Sequence, residues 1–323
     1  MVHYVLDAAV QDDVRATIVV IGHHATAVEK ELSERWSGAR LTFVEQSARL
    51  GTGHAVRAAM ATVDDAIGDS DGDVLIVPGD APLLRRESVA ELLAAHRATN
   101  AALTVLSAHV ADPTGYGRIV HAKDDSVEGI VEERDASAVE RAIDEVNTSV
   151  MVVRQSLLGP GLRRVGRQNA QGEYYLTDLV AVLHDMGHAT RALRLDDADE
   201  AMGVNDQFQL ARAERVLRQR INDGWLERGV TMWDPATTYV DADVELAPDV
   251  SLLPGTVLRG HCVIARGARI GPHAHLVDVA VGENAVLGAV DATALRVGAD
   301  ARVASFVVRG PGEDVRAGEI ILR

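Results

Sequence analysis

The sequence predicts an α/β domain followed by a short parallel β-helix, and three observations carry that prediction. Strand-like and helix-like segments alternate from the start of the chain to about residue 108. That rhythm belongs to a mostly parallel sheet with helices on both faces. Within it, Val74, Leu75, Ile76 and Val77 form a continuous apolar run that Pro78 and Gly79 stop, with Asp80 immediately after. A fully apolar strand of this length suits the middle of a covered parallel sheet, and ligands in such sheets bind beyond the carboxyl ends of the strands. Past Asp234-Pro235 the apolar period becomes six: Leu246, Leu252, Leu258, Ile264, Ile270 and Leu276. A helix cannot hold a six-residue stripe, whereas a triangular coil of short strands and tight corners does.

The chain opens on a helix, with Val2, Tyr4, Val5, Ala8, Ala9 and Val10 on one face, where a nucleotide-binding α/β domain normally opens on a strand and phosphate loop. A strand at 16–21, a helix at 26–36 and a strand at 41–44 follow. The glycine-rich Gly51-Thr52-Gly53-His54 precedes a helix at 56–63. After the Val74 strand come a helix at 88–99 and a strand at 102–108. From residue 112, DPTGYGRIV and SVEGIVEERD read as a hairpin of edge strands rather than a crossover. A short helix at 136–143, a strand at 150–153, a loop at 169–173, a helix from Asp178 through Leu183 and a strand at 190–195 complete the domain. Residues 207–221 form an amphipathic helix with Leu210, Ala213, Val216 and Leu217 on one stripe.

In the six-residue repeat, a small or compact residue stands two places before each large one: Val244, Val250, Thr256, Cys262, Ala268 and Ala274. Cys262 therefore reads as packing. The expected boundaries are an α/β domain over 1–206, a linker helix over 207–235, the β-helix over 236–309 and an irregular tail over 310–323.

Composition narrows the functional classes. The 323 residues carry 32 basic against 48 acidic side chains, a formal charge of −16, which argues against a nucleic acid as the main partner. Lysine occurs only at Lys30 and Lys123, so anion binding falls to arginine, backbone N–H groups or a metal. With Cys262 alone, neither an intrachain disulfide nor a thiolate zinc cluster forms, which fits a reducing, cytoplasmic setting. No basic leader precedes an apolar core at the start, and no apolar stretch approaches membrane-spanning length, so no membrane insertion is expected.

Polar residues that could carry chemistry stand at the ends of apolar runs. Asp80 is placed to hold a divalent cation or a sugar hydroxyl, or simply to cap the next helix. Gln46 can pair with a base edge or face solvent, and the glycines at 51 and 53 permit close backbone approach to a flat ligand. Thr114-Gly115-Tyr116-Gly117-Arg118 brings two glycines to a bend; Glu132, Asn147 and Asn205 flank apolar runs. Together they offer the carboxylate, amides and backbone groups that a hydroxyl- and acetamide-bearing sugar needs. Asp80 and Asn205 can hold one Mg²⁺ through hard oxygen ligands. The histidines, His23-His24 among them, show no zinc spacing, and no Ser/His/Asp nucleophile motif is present.

Seven motifs in order, LGTGHA, VPGDAPLL, DPTGYGRIV, IVEERDA, EVNT, NAQGEYYLTD and GVND, followed by hexapeptide repeats, make the chain resemble the bifunctional bacterial N-acetylglucosamine-1-phosphate uridyltransferase/glucosamine-1-phosphate acetyltransferase family from Met1 to about Ser305. The resemblance implies a Rossmann-like nucleotide-diphospho-sugar transferase domain and a left-handed β-helix. It implies that Gln46, Gly51 and Thr52 read uracil, that Asp80 and Asn205 bind Mg²⁺, and that Tyr116, Gly117, Glu132 and Asn147 contact the N-acetylglucosamine moiety. The implied reaction joins UTP and N-acetylglucosamine 1-phosphate into UDP-N-acetylglucosamine and pyrophosphate, feeding envelope precursors in the cytoplasm, with a homotrimer built through the β-helix.

Three departures qualify that expectation. The family's opening strand, its glycine-rich loop with an arginine and the lysine soon after would lie before Met1. Their absence predicts impaired turnover in this chain, a nucleotide-sugar-binding or oligomerising remnant, or an incomplete gene product whose start is misplaced. The later coils that build the acetyltransferase site lie beyond the last residue, so no acetyl transfer is expected. Ser149 also stands where the family usually has glycine or alanine.

Overall fold

Thr17–Ile21 (β1) and Leu41–Glu45 (β2) pair in parallel as a two-stranded sheet of their own, Thr17 opposite Leu41 and Ile21 opposite Glu45. The computed structural model describes residues 1–11, 13–22, 25–36, 41–68 and 71–322; His23 and His24 lie outside these. The chain divides into two compact units, Met1–Leu210 and Ala211–Arg323. No described helix is long and apolar enough to cross a membrane.

The first unit has the Rossmann-like architecture expected of it. Helices Val2–Ala9 (α1), Ala25–Arg35 (α2), Thr52–Ile67 (α3) and Arg86–Thr99 (α4) alternate with β1, β2, Asp73–Ile76 (β3) and Leu103–His109 (β4). Arg118–His121 (β5) and Val127–Val131 (β6) form the anticipated antiparallel hairpin. Glu145–Arg154 (β7), the helices Gln155–Leu162 (α5) and Asp178–Asp185 (α6), and Thr190–Arg194 (β8) complete the unit.

The larger sheet runs β6-β5-β7-β4-β8, with β3 also on β7, and it is mixed rather than mostly parallel. Only β4 and β8 pair in parallel there; β3, β4 and β5 all run antiparallel to β7. The covered central strand is β4, buried over its first six residues, not β3, which is only half-buried and pairs on one edge with β7. Apolar continuity cannot separate these two strands, because β4 hides two polar side chains by bonding them. Thr104 Oγ1 lies 2.9 Å from His96 Nδ1, and Ser107 Oγ donates to Glu145 Oε1 at 2.6 Å.

Side-chain alternation assigns a separate core to each face. Leu103, Val105, Met151 and Val153 pack with Leu158, Leu162, Leu179 and Leu183 of α5 and α6. Leu106, Ala108, Val150 and Val152 pack with Ala8 of α1 and Val89, Leu92 and Leu93 of α4. Two local expectations change. The helix expected at 136–143 is only a 3₁₀ turn at Glu140–Ala142, and α3 begins at Thr52, so the glycine-rich segment opens a helix instead of forming a free loop.

In the second unit, short strands stack coil on coil into three parallel sheets, a β-solenoid of hexapeptide repeats consistent with the left-handed β-helix class. Early partners lie eighteen residues apart, Glu245 with Val263 and Ser251 with Arg269, three six-residue faces to a coil. Later coils are shorter, as His275 opposite Asp291 shows, which explains the breaks in the repeat. The large stripe and the small-residue column both point inward and are buried. Thr256 Oγ1 and Cys262 Sγ do the same job, each donating to the carbonyl three residues back, Leu253 and Arg259, at 2.7 and 3.2 Å.

The solenoid exceeds the expected limits at both ends. Thr231 and Met232 already pair with Ser251 and Leu252. Beyond residue 310, expected to be irregular, Val315 bridges Val297, and Ile320 and Ile321 pair with Arg302 and Val303. The helix Gln207–Glu227 (α7) runs past the expected 221, and its Ile221 and Trp225 pack on the solenoid core. Buried Asn222 donates Nδ2 to Pro235 O and Thr238 O at 2.9 and 3.0 Å.

Candidate active site

The site is created by a fork on one edge of β7. β3 and β4 both pair with Met151 and Val153, so they occupy opposite edges. β4 and β5 both pair with Val146, so β5 shares the edge of β3. Between Val146 and Met151 that edge is left by β5 and not yet taken by β3. Divergence of neighbouring strands is where open α/β sheets form ligand crevices. Ser149 lies in the gap with φ 64, a conformation a Cβ makes costly, and its N–H donates to Asn147 Oδ1 at 3.0 Å.

Gly117, Glu132 and Asn147 meet at this fork. Asn147 N donates to Gly117 O at 2.8 Å, and a Cβ on Gly117 would lie 3.4 Å from Glu132 Oε2 and 2.9 Å from Ile130. Glycine is needed there because a side chain would collide with the hairpin and fill the space beside the carboxylate. Asn147 is buried and spends its amide oxygen on Ser149, which leaves Nδ2 as its donor. Glu132 Oε1 accepts from Thr177 Oγ1 at 2.8 Å. Burial pushes the Asp178 carboxyl above its ordinary range, and the nearby Glu132 and Asp135 charges add to that shift. Tyr116 stands beside Gly117 but packs partly on the core under α4. Its carbonyl accepts from Arg118, whose guanidinium also reaches Ile143 O at 3.1 Å and Glu133 Oε2 at 2.6 Å. This buried arginine staples the glycine bend to the Glu132-Glu133 strand end.

Asp80 arrives at the fork by register. β3 runs antiparallel to β7 with Ile76 opposite Met151, so the residues after Ile76 travel toward Asn147. Val204 N donates to Asp80 O at 2.9 Å, and a Cβ on Gly203 would lie 3.9 Å from Asn205 Nδ2 and 4.0 Å from Asp80 Oδ2. Both side chains therefore flank the space above a residue that has no side chain. Burial pushes the Asp80 carboxyl up, and it has no ion-pair partner among the described residues. The Asn205 segment is anchored by Glu200, buried at the start of α4, whose carboxylate accepts from Arg85 N at 2.8 Å and Ser88 Oγ at 3.0 Å.

This carboxylate, with the Asn205 amide turned to present Oδ1 in place of Nδ2, fits Mg²⁺, which takes one or two protein oxygens and completes its shell with water and substrate phosphates. No cluster of three histidine, cysteine, aspartate or glutamate side chains with metal-binding geometry occurs among the described residues. The fit is to a shared, substrate-completed site rather than to an all-protein cage.

Gln46, Gly51 and Thr52 form a second group beyond β2. Gln46 Nε2 lies 3.2 Å from Gly51 O and 2.9 Å from His54 Nδ1. The glycines serve the chain itself. Gly51 has φ 104, and a Cβ there would lie 2.5 Å from Tyr174 O and 2.9 Å from Glu173 Cβ. Tyr174 N donates to Leu50 O, Gly53 N to Tyr174 O, both at 2.8 Å, and Leu176 N to Thr52 Oγ1 at 3.0 Å. The strap Glu173–Thr177 thus runs from this group to Glu132.

Residues 1–193 match the family model described as nucleotidyl transferase. The chain belongs to the nucleotidyl transferase family. Its relatives include the bifunctional protein GlmU of Exiguobacterium sp., 40% identical over 95% of this chain and 66% of the relative. That of Shouchella clausii is 37% identical over 99% of this chain and 70% of the relative. That of Limosilactobacillus reuteri is 41% identical over 86% of this chain and 59% of the relative. The chain spans between 59% and 70% of the length of these curated relatives.

As a nucleotidyl transferase the chain is an enzyme by family, and its matched region holds Asp80, Glu132, Asn147 and the Gln46 group; Asn205 lies just beyond it. Sequence reasoning passed over Thr177, Glu200 and the Arg118–Glu133 pair. Thr177 lies inside the NAQGEYYLTD motif, so its position is legible in the sequence and its partner is not. Nothing local distinguishes Glu200 from the other acids of its turn.

Proposed function

We propose that this nucleotidyl transferase is a uridylyltransferase that makes UDP-N-acetylglucosamine and pyrophosphate from UTP and N-acetylglucosamine 1-phosphate. The convergence of Gly117, Glu132, Asn147 and Thr177 beside the Asp80–Asn205 pair carries this reading. Glu132 accepts from sugar hydroxyls, Asn147 donates to an acetamide or hydroxyl oxygen, and the absence of a side chain at Gly117 leaves the Glu132 carboxylate uncovered for the ring. Gln46 with the Gly51-Thr52 backbone reads the uracil edge. The sugar phosphate oxygen attacks the α-phosphorus in line as pyrophosphate leaves, a reaction in which the protein mainly positions charged groups. Asp80 and Asn205 would hold Mg²⁺, which when bound offsets charge on the phosphates. The solenoid supplies a surface for a homotrimer.

The test is a magnesium-dependent pyrophosphate-release assay on the whole chain with UTP and N-acetylglucosamine 1-phosphate. Release that needs both substrates and disappears with chelator is expected. No release, together with measurable UDP-N-acetylglucosamine binding, would replace the enzyme by a nucleotide-sugar-binding protein.

A further inference from the structure

Hydrogen-bond accounting around Gln46 assigns a role to His54, a residue outside the groups already named as contacts. Gly51 O can only accept, so the end of the Gln46 amide lying 3.2 Å from it is the NH₂ group. The reverse orientation would set two carbonyl oxygens against each other. The NH₂ group has two hydrogens. One serves Gly51 O, and the other serves His54 Nδ1 at 2.9 Å, so that nitrogen is the bare acceptor and the imidazole proton sits on Nε2. Gln46 Oε1 has no hydrogen-bond partner among the described residues and keeps both lone pairs.

We infer that His54 is a positioning residue that locks the Gln46 amide in one orientation, so that the nucleotide base meets an acceptor at that point and not a donor. This rests on the reading of Gln46 as the base-contacting residue. An imide N–H, as in a uracil ring, satisfies that acceptor, whereas the bare N3 of a cytosine ring sets lone pair against lone pair. The imidazole is itself held. It is half-buried, its ring lies 6.4 Å from that of Tyr174 at 25°, and Tyr174 is tied on both sides of its peptide to Leu50 and Gly53. Without the bond to His54 only the longer contact to Gly51 O, at 3.2 Å, orients the amide, and a fraction of molecules would present NH₂ to the base.

His54→Phe keeps a flat ring beside Tyr174 and removes the acceptor. KM for UTP should rise about tenfold and the preference for UTP over CTP should fall by a similar factor, with a smaller change in kcat. His54→Asn, which can place an amide oxygen near the Nδ1 position, should recover part of that preference. Independently of turnover, ¹⁵N shifts of His54 in the whole chain should show a protonated Nε2 and a bare Nδ1. The inference is overturned if Nδ1 carries the proton, or if His54→Phe discriminates UTP from CTP as wild type does while Gln46→Ala loses that discrimination. If Gln46→Ala also discriminates normally, the base-reading assignment of Gln46 falls and this inference falls with it.

Discussion

Asp80→Ala is expected to lower pyrophosphate release by about two to three orders of magnitude, the loss that follows when one preorganised electrostatic contact leaves a transition state. The expectation follows from where the carboxylate sits. It flanks Gly203 together with Asn205, it is pushed toward the neutral form by burial, and no described cation compensates it. A half-buried acid without a partner carries a desolvation cost that a ligand's countercharge offsets. Replacing Asp80 should therefore leave the fold intact or slightly more stable while magnesium dependence disappears. Asp80→Asn is the sharper probe, because it preserves size and removes only the charge. Thermal melts alongside the pyrophosphate assay check both halves. A variant that keeps normal turnover and normal magnesium dependence would remove Asp80 from the mechanism.

Gly51→Ala should destabilise the chain by about 2–4 kcal/mol and weaken sugar-phosphate binding, although residue 51 lies in the group we propose to read the base. Part of the cost is conformational, since φ 104 is closed to residues with a Cβ at about 1–3 kcal/mol. The rest is a collision, because the new carbon would lie 2.5 Å from Tyr174 O and 3.0 Å from Tyr174 N. Those are backbone atoms held by Leu50 and Gly53, so they cannot simply swing aside. If the Glu173–Thr177 strap moves instead, Thr177 leaves Glu132, and the carboxylate we propose as the sugar contact loses its orienting hydroxyl. Gly172→Ala is the control: it also has positive φ, 66, but opens onto free space, and should cost only about 1 kcal/mol. Urea unfolding and KM for the sugar phosphate, measured on both variants, separate strain from coupling. Equal effects from the two substitutions would refute the strap.

How much of this was legible in the sequence depended on whether a feature is local. The solenoid was readable because a six-residue stripe states its own geometry, and its buried column matches the small residues from Val244 to Ala274. Its last coil was not, because the stretch around Pro311 and Gly312 interrupts the phase before Val315 and Ile320 resume it. In the first unit, alternation of strands and helices gave the fold class but not strand direction. Nothing near Val74 says that β3 will meet β7 head to tail. The polar residues at strand ends were visible one at a time, as chemical types. Their meeting was invisible, because Asp80 finds Asn205 through Gly203 and Glu132 finds Thr177 through folds of chain far apart in sequence. The reading of the 51–53 glycines as room for a ligand overlooked a competing use, room for the chain's own Tyr174.

The chain's single thiol sits fully enclosed in the small-residue column of the solenoid, bonded to Arg259 O, with burial holding it protonated. That makes Cys262 a clock. A thiol reagent cannot meet it until a coil opens, and no other sulfhydryl competes for the label. The rate of modification under native conditions therefore reads out how often the second unit breathes. It provides a measure of solenoid opening that does not depend on what the first unit binds.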